Sequence, residues 1–360
     1  MQLSVLIDTY NQERLIETAI RSVLEQDFPE SEREVIVVDD GSTDRTAEIV
    51  RRFEPRVRLI TKKNGGQGSA FNTGIPECRG DVIVFLDGDD WWAPGKLRRM
   101  AEVFASDAAL GMIGHAFIES FDDGARKTIS CHDIVRSQVN SVAAAKYFRL
   151  SRCFFGTSRL ALRAELARKL LPVPEALVFE ADEYLFTMAA VLAPFVILPE
   201  ALTHYRIHAG NLYVGTGGNQ AAERRKQRVI AELARAMRIS LPVAGATVEV
   251  AQTLLEIVDA EAAQLRLKLD GGWPWETFQT ERTIYRVQHG DAGAKSKLFR
   301  TLSMVPALAL PPKWFYGGRK WLGAQGWYQR ARKAAVPVPG FAKVAAPEAK
   351  EPGLGSIEDK

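Results

Sequence analysis

Cysteine is scarce. Cys78, Cys131 and Cys153 are the only three in 360 residues, odd in number and without a CxxC pair. That argues against a disulfide framework or a structural zinc and fits a reducing compartment. An excess of one charge is also missing: the net charge of +3 is too small to mark a nucleic-acid binder. No uninterrupted apolar run reaches the ~18 residues needed to span a bilayer. The opening MQLSVLIDTYNQE has no basic segment leading into a long apolar one, so no secretory leader is expected. The triplet Cys131-His132-Asp133 stands alone and reads as a turn. What remains, with 46% hydrophobic and 25% charged residues, is an ordinary globular chain long enough for one large domain and an accessory one.

Against those absences one stretch stands out, Val82–Trp92, which reads VIVFLDGDDWW. Its five apolar residues, bounded by Asp81 and Gly88, predict a strand buried on both faces, as in a parallel sheet. The strand runs into Asp87, Asp89 and Asp90, then two indoles, with Pro94 where the first turn of a helix would begin. Clustered acids repel one another, so the pattern suits a hard divalent cation, Mg²⁺ or Mn²⁺, among oxygen ligands. A simple turn that caps the next helix is the plainer alternative.

Taken in order, Leu3–Ile7 predicts a first strand, broken by Asp8-Thr9-Tyr10-Asn11. Leu15, Ile16, Ala19, Ile20, Val23 and Leu24 recur at helical spacing, which predicts an amphipathic helix over 13–26 capped by Asn11. Val35–Val38 is a second strand that stops at Asp39-Asp40-Gly41-Ser42, with Ser42 or Thr43 placed to cap the helix after it. Val57–Ile60 is a third strand, and a glycine-rich loop over 62–69 leads into a short helix through Asn72 and Gly74. A helix over Pro94–Ala105 follows the Val82 strand. Strands alternating with helices give an α/β fold with a mostly parallel sheet covered on both faces. Ligands bind outside the carboxyl ends of such strands. Asp8, Asp39, Asp40, Asp87, Asp89 and Asp90 all fall there.

The segments SVLIDTYNQERLIETAIRSVLEQDF, VIVVDDGSTDRT, NGGQGSAFNTG and GDVIVFLDGDDWWAPGKL resemble the family 2 inverting glycosyltransferases of the GT-A fold. The likeness is close over residues 3–105 and thinner to about 210. It implies a GT-A type nucleotide-sugar-binding domain over 1–215, followed by a helical extension over 216–333 and a disordered tail over 334–360. By the same resemblance Thr9, Tyr10, Asp39, Asp40 and Asp87 hold the nucleoside, with Asp40 at the base and Asp87 at the ribose. Asp89 and Asp90 hold the cation that bridges the two phosphates; in Tyr205-Arg206-Ile207-His208, either Arg206 or His208 reaches the diphosphate, or His208 completes the cation's shell. Gly66, in the loop Gly65-Gly66-Gln67-Gly68, brings a free backbone amide near the nucleotide, and Asn72 belongs to the same helix. Two positions depart from the family pattern: Asp8 stands where proline is usual, and Phe71 where arginine often touches the diphosphate. Alignment on Leu185-Phe186 makes Asp182 the base that takes the acceptor proton, with Glu180 and Glu183 close by in sequence.

The function these expectations add up to is metal-dependent, inverting transfer of a sugar. The donor would be a nucleotide-sugar and the acceptor a hydroxyl of a glycan or lipid-linked molecule, in cell-surface polysaccharide or glycolipid synthesis. A non-catalytic nucleotide-sugar-binding protein is the alternative, weakened by the presence of Asp182. A dinucleotide-dependent oxidoreductase is a more distant one, because the loop does not match GxGxxG. Beyond 215 the residues 221–239 and 244–268 read as helices that leave a homodimer open. Between Ala292 and Pro347 there is no acid, while ten Lys and Arg residues, Lys295 to Lys343, interleave with Trp314, Trp321 and Trp327. That composition predicts peripheral attachment to an anionic membrane surface, on the cytoplasmic inner face, rather than a basic helical pair with its tryptophans in the core.

Overall fold

The computed structural model describes residues 1–208, 219–289 and 294–325. The expected linker at 215–218 and the tail from 334 lie outside the described residues, as do Trp327, Tyr328, Arg330, Arg332, Lys333 and Lys343.

Four strands, β1 (Leu3–Thr9), β2 (Arg33–Asp39), β3 (Arg58–Thr61) and β4 (Val82–Asp87), run parallel in the order β3-β2-β1-β4. Side chains alternate across a strand, and here both sets find cover. Val5 and Ile7 pack with Val37, Val84 and helices α1 (Ile16–Leu24), α2 (Thr46–Arg51) and α4 (Lys96–Ser106). Leu6, Ile36, Ile83 and Phe85 face the other way, against α3 (Gln67–Glu77), α6 (Ala164–Lys169) and α7 (Ala181–Leu192). Gly74 lets α3 settle onto β1, since a Cβ there would stand 2.4 Å from Leu6 Cδ1.

The remaining strands are β5 (Trp91–Trp92), β6 (Met112–Phe121), β7 (Arg126–Ile129), β8 (Val135–Ser137), β9 (Ala161–Arg163) and β10 (Phe195–Ile207). The sheet continues from β4 through β9, β6 and β10 to β5. β9 is antiparallel to both its neighbours, and β6 and β10 are parallel. The pair of tryptophans does not run straight into a helix as the sequence suggests. They form β5, antiparallel to Thr203 and His204, and α4 starts only at Lys96, after Gly95 turns the chain through a left-handed conformation. β10 runs unbroken for its full length, with an irregularity between Leu198 and Thr203.

The helix caps differ from expectation too. Asn11, at φ 53, does not cap α1; its side chain accepts the Thr43 N–H at 2.8 Å. Asp44, not Ser42 or Thr43, satisfies the opening of α2 by accepting the Thr46 N–H at 3.0 Å and, across the loop, the Glu13 N–H at 3.0 Å.

Helices α5 (Val142–Ser151), α8 (Gln220–Val243), α9 (Val248–Asp270), α10 (Pro274–His289), α11 (Ala294–Met304) and α12 (Pro312–Ala324) complete the described chain. Leu233 and Met237 of α8 and Leu254 and Val258 of α9 belong to the same buried cluster as Phe148, Phe186 and Phe195. The extension therefore adds to the core of the sheet half.

Candidate active site

Register alone builds half of the site. β1 and β4 pair with Asp8 opposite Asp87, and the Asp90 N–H closes back on the Asp87 carbonyl at 3.1 Å, which turns the acidic loop over the strand ends. From the other side of the sheet, Trp91 stacks on His204 at 4.7 Å between ring centres. That contact fixes the end of β10 against the loop. The Arg206 N–H donates to Asp90 Oδ1 at 2.8 Å, its guanidinium to the Asp89 carbonyl at 2.9 Å, and His208 Nε2 lies 3.2 Å from Asp89 Oδ2. The bond to Asp89 pulls the imidazole pKa up from its ordinary value. Beneath the loop Lys96 is fully buried, donating to the Ser158 carbonyl at 2.7 Å below the Trp92 ring, and burial drives its pKa well down.

Asp182 reaches the same rim from the first turn of α7. Its Oδ2 accepts the N–H of Thr157 at 2.9 Å and the Thr157 hydroxyl at 3.1 Å; its Oδ1 accepts the Glu183 N–H at 2.8 Å. Gln67 ties this corner to the strand ends. Its amide nitrogen donates to Thr157 Oγ1 at 3.0 Å and lies 3.4 Å from Asp87 Oδ1, while its oxygen accepts the Ala181 N–H at 3.1 Å. A hydroxyl has one proton; with Gln67 donating to it, Thr157 turns that proton to Asp182.

Burial dominates the electrostatics, and the carboxylates add to it by mutual repulsion. Asp8 is pushed up to about 8, first by burial and then by Asp89, Asp182 and Asp40. Asp90 is pushed up to about 7 by burial and by Asp89, and Asp87 is held well above the carboxylate range by burial, Asp8 and Asp89. Asp8 Oδ1 and Asp90 Oδ2 are buried with no hydrogen-bond partner. Such orphaned carboxylate oxygens are costly, and a cation would satisfy them. Among the described residues no group of three or more His, Cys, Asp or Glu side chains is placed to hold a metal ion. A Mg²⁺-type site needs only one or two carboxylates, the rest being water and substrate phosphate.

Around Asp40 the arrangement differs from expectation. Both oxygens of Asp40 are engaged: Lys62 Nζ donates at 2.6 Å, the Gly66 N–H at 2.6 Å and the Gly65 N–H at 3.0 Å. The two glycine amides are thus spent on Asp40 instead of lying free. Gly66 itself is required there, with φ 83 and a Cβ position 2.4 Å from Val178 Cα. Asp39 accepts the Ser42 N–H at 3.0 Å and holds the turn after β2. Thr9 is buried, donating to Gln12 Oε1 at 2.7 Å, and Tyr10 is exposed beside it. Asn72 stands apart, both ends of its amide bound to the Val173 backbone at 2.7 and 2.8 Å.

The structure brings Asp8, Asp87, Asp89, Asp90, Asp182 and His208 to one rim. It also separates the three acids that sequence left adjacent. Glu183 pairs with Arg152 at 2.7 Å, Glu180 is the left-handed residue before α7, at φ 61, and Asp182 alone joins the cluster through Thr157. Thr157, Gln67 and Lys96 were not picked out from sequence. Only Gln67, inside the glycine-rich loop, carried a local signal.

Comparison with known proteins fits this arrangement. Residues 4–171 match the sequence model of the family described as glycosyl transferase family 2. An uncharacterized glycosyltransferase, alr2836, of Nostoc is 33% identical over 240 residues, 65% of this chain and 73% of that protein. The chain belongs to glycosyl transferase family 2, and it is a glycosyltransferase. The poly(ribitol-phosphate) beta-N-acetylglucosaminyltransferase TarS of Staphylococcus aureus is 38% identical over 95 residues, 25% of this chain but only 17% of its own length. Solved structures share the GT-A fold. That of S. aureus TarS 1–349 with UDP-GlcNAc has a TM-score of 0.54 at 22% identity, covering 86% of this chain and 89% of its own. That of the Pyrobaculum calidifontis mannosyltransferase PcManGT with GDP-Man and Mn²⁺ has a TM-score of 0.52 at 22% identity, covering 92% and 82%.

Proposed function

We propose that the chain transfers a sugar from a nucleotide-sugar donor to an acceptor hydroxyl with inversion at the anomeric carbon. The reading rests above all on Asp182, held by Thr157 across from the buried acids Asp87 and Asp90. In that role Asp182 accepts the acceptor's proton, the acceptor oxygen bonds to the anomeric carbon, and the bond to the diphosphate oxygen breaks, its electron pair leaving with the nucleoside diphosphate. Asp89 and Asp90, with His208 beside Asp89, are the residues that would hold Mg²⁺ or Mn²⁺; when bound, the cation offsets charge on the departing diphosphate. Asp87 and Tyr10 would flank the nucleoside, with Asp40 keeping the loop Lys62–Gly66 in shape beside it.

The solved structures of like fold were bound to a uridine and a guanosine nucleotide-sugar respectively, so donors of both bases enter the test. Synthesis of a surface polysaccharide or glycolipid, with a glycan or lipid-linked acceptor met at the inner face of a membrane, belongs to the same proposal. Its test is a panel of UDP-, GDP- and dTDP-sugars with and without Mn²⁺, read by thermal shift and by release of nucleoside diphosphate. One donor should stabilise the protein by roughly 2.7 kcal/mol at a hundredfold excess over its dissociation constant, and should be turned over. Failure of every donor to bind or to be turned over refutes the reading.

A further inference from the structure

Large apolar side chains on the surface are concentrated in one region. Of the seventeen exposed among the described residues, nine fall between Trp273 and Trp321. α12 shows how they are presented. Its inward stripe carries Pro312, Phe315 and Arg319, with Phe315 buried and Arg319 paired to Glu281. Its outward stripe carries Trp314, 74% exposed, and Trp321, 63% exposed. Seven residues apart, these indoles lie on the same side of the helix about 10 Å from each other along its axis. Between them Gly317 and Gly318 are open, with no atom within 4 Å of where a Cβ would stand, and Lys313 and Lys320 are exposed alongside.

A second element joins this face. Lys313 Cε is 3.8 Å from the Cβ position of Gly271, which places the start of α12 beside the turn into α10. Trp273 and Trp275, 75% and 58% exposed, stand at that turn. On the chain between α10 and α12, Leu302, Val305 and Leu308 are exposed, anchored by buried Met304 and Ala307.

We propose that this face, α12 with the turn at Trp273 and the run Leu302–Leu308, seats the protein on an anionic lipid bilayer. Indoles lie at headgroup depth while lysines meet lipid phosphate, and short apolar side chains enter the acyl boundary. The charge pattern selects lipid over a second copy of this chain. Residues 292–347 contain no Asp or Glu, and the two acids at the adjoining turn, Asp270 and Glu276, are already paired within the chain to Arg224 and Arg266, so a symmetric pairing through α12 would set lysine against lysine. No described helix is long and apolar enough to cross the membrane, so the contact is peripheral. The inference deepens the proposed function by naming the surface at which a lipid-linked acceptor is met, and its test does not depend on turnover.

The test is flotation of the full chain with phosphatidylcholine vesicles containing increasing phosphatidylglycerol. Binding should rise with the anionic lipid and fall as salt is added. The pair Lys313→Glu/Lys320→Glu should weaken it by roughly thirtyfold or more, and Trp314→Ser/Trp321→Ser should abolish it. All four positions are exposed, so folding and donor binding should be unchanged. A full-length protein that stays soluble on every vesicle overturns the proposal. So does binding that neither pair alters, or a concentration-dependent dimer that the tryptophan pair dissolves while vesicles have no effect.

Discussion

One carboxylate oxygen of Asp182 is held by Thr157, whose hydroxyl is in turn fixed by Gln67, and the other by the Glu183 N–H. Asp182→Asn should leave nucleotide binding intact by calorimetry while transfer falls by about 10²-fold or more, the range of a lost general base. Glu180→Gln and Glu183→Gln should be milder; if either is the inactive variant and Asp182→Asn is not, the base is misassigned. Thr157→Val removes the hydroxyl donor to Asp182 and leaves the Thr157 N–H bond to it in place. It should lower kcat about tenfold with donor affinity unchanged, and Thr157→Ser should restore it, since misplacing a catalytic group by even 1 Å costs up to ~10²-fold. At the opposite side, Asp90→Ala and Asp89→Ala should abolish turnover and erase the effect of Mn²⁺ on donor binding. Full activity of both variants, or of the unaltered protein in excess chelator, removes the cation from the reaction.

At the scale of elements, Arg152 follows α5 directly and clamps α7 to α9, bonding Glu183 at 2.7 Å and Glu261 at 2.6 Å. Arg152→Met leaves two carboxylates facing each other with no cation, and should cost about 3 kcal/mol in urea unfolding. Glu261→Gln should be gentler, because Glu183 keeps its partner; equal losses would argue against the clamp. Nothing in the sequence announces this link, since its three members are 31 and 109 residues apart. The parallel half of the sheet, by contrast, was legible. Val35–Val38 and Val82–Leu86 are too uniformly apolar to be anything but strands buried on both faces, and the acids after them mark the carboxyl rim. β5, β8 and β9 were not legible, because two or three residues show no period and take their place from tertiary pairing. The caps failed for a related reason. Asn11 and Ser42 spend their side chains on each other's loops, Asn11 on Thr43 and Ser42 on the Asn11 N–H, a long-range choice that local preference does not contain.

For the molecule as a whole, the buried acids couple stability to pH. Asp8 and Asp90 are held up to about 8 and about 7 in the folded chain, against ~3.9 for an unfolded aspartate. The folded state therefore keeps protons that the unfolded state has released, and its stability falls as pH rises from about 4 to about 8. The melting temperature of metal-free protein should drop by a few degrees between about pH 5 and about pH 8, and Mn²⁺ should flatten the slope. A metal-free profile that is level or rising contradicts the burial of these carboxyls. The shared core has a bearing on how such enzymes can be recombined. Leu254 and Val258 of α9 pack in one cluster with Phe148 and Phe186, so a chimera that grafts residues 1–208 onto a foreign partner would carry a raw apolar flank beside α7. The segment that can be exchanged between relatives is not the nucleotide-sugar fold by itself. It is that fold together with α8 and α9, inherited as one piece.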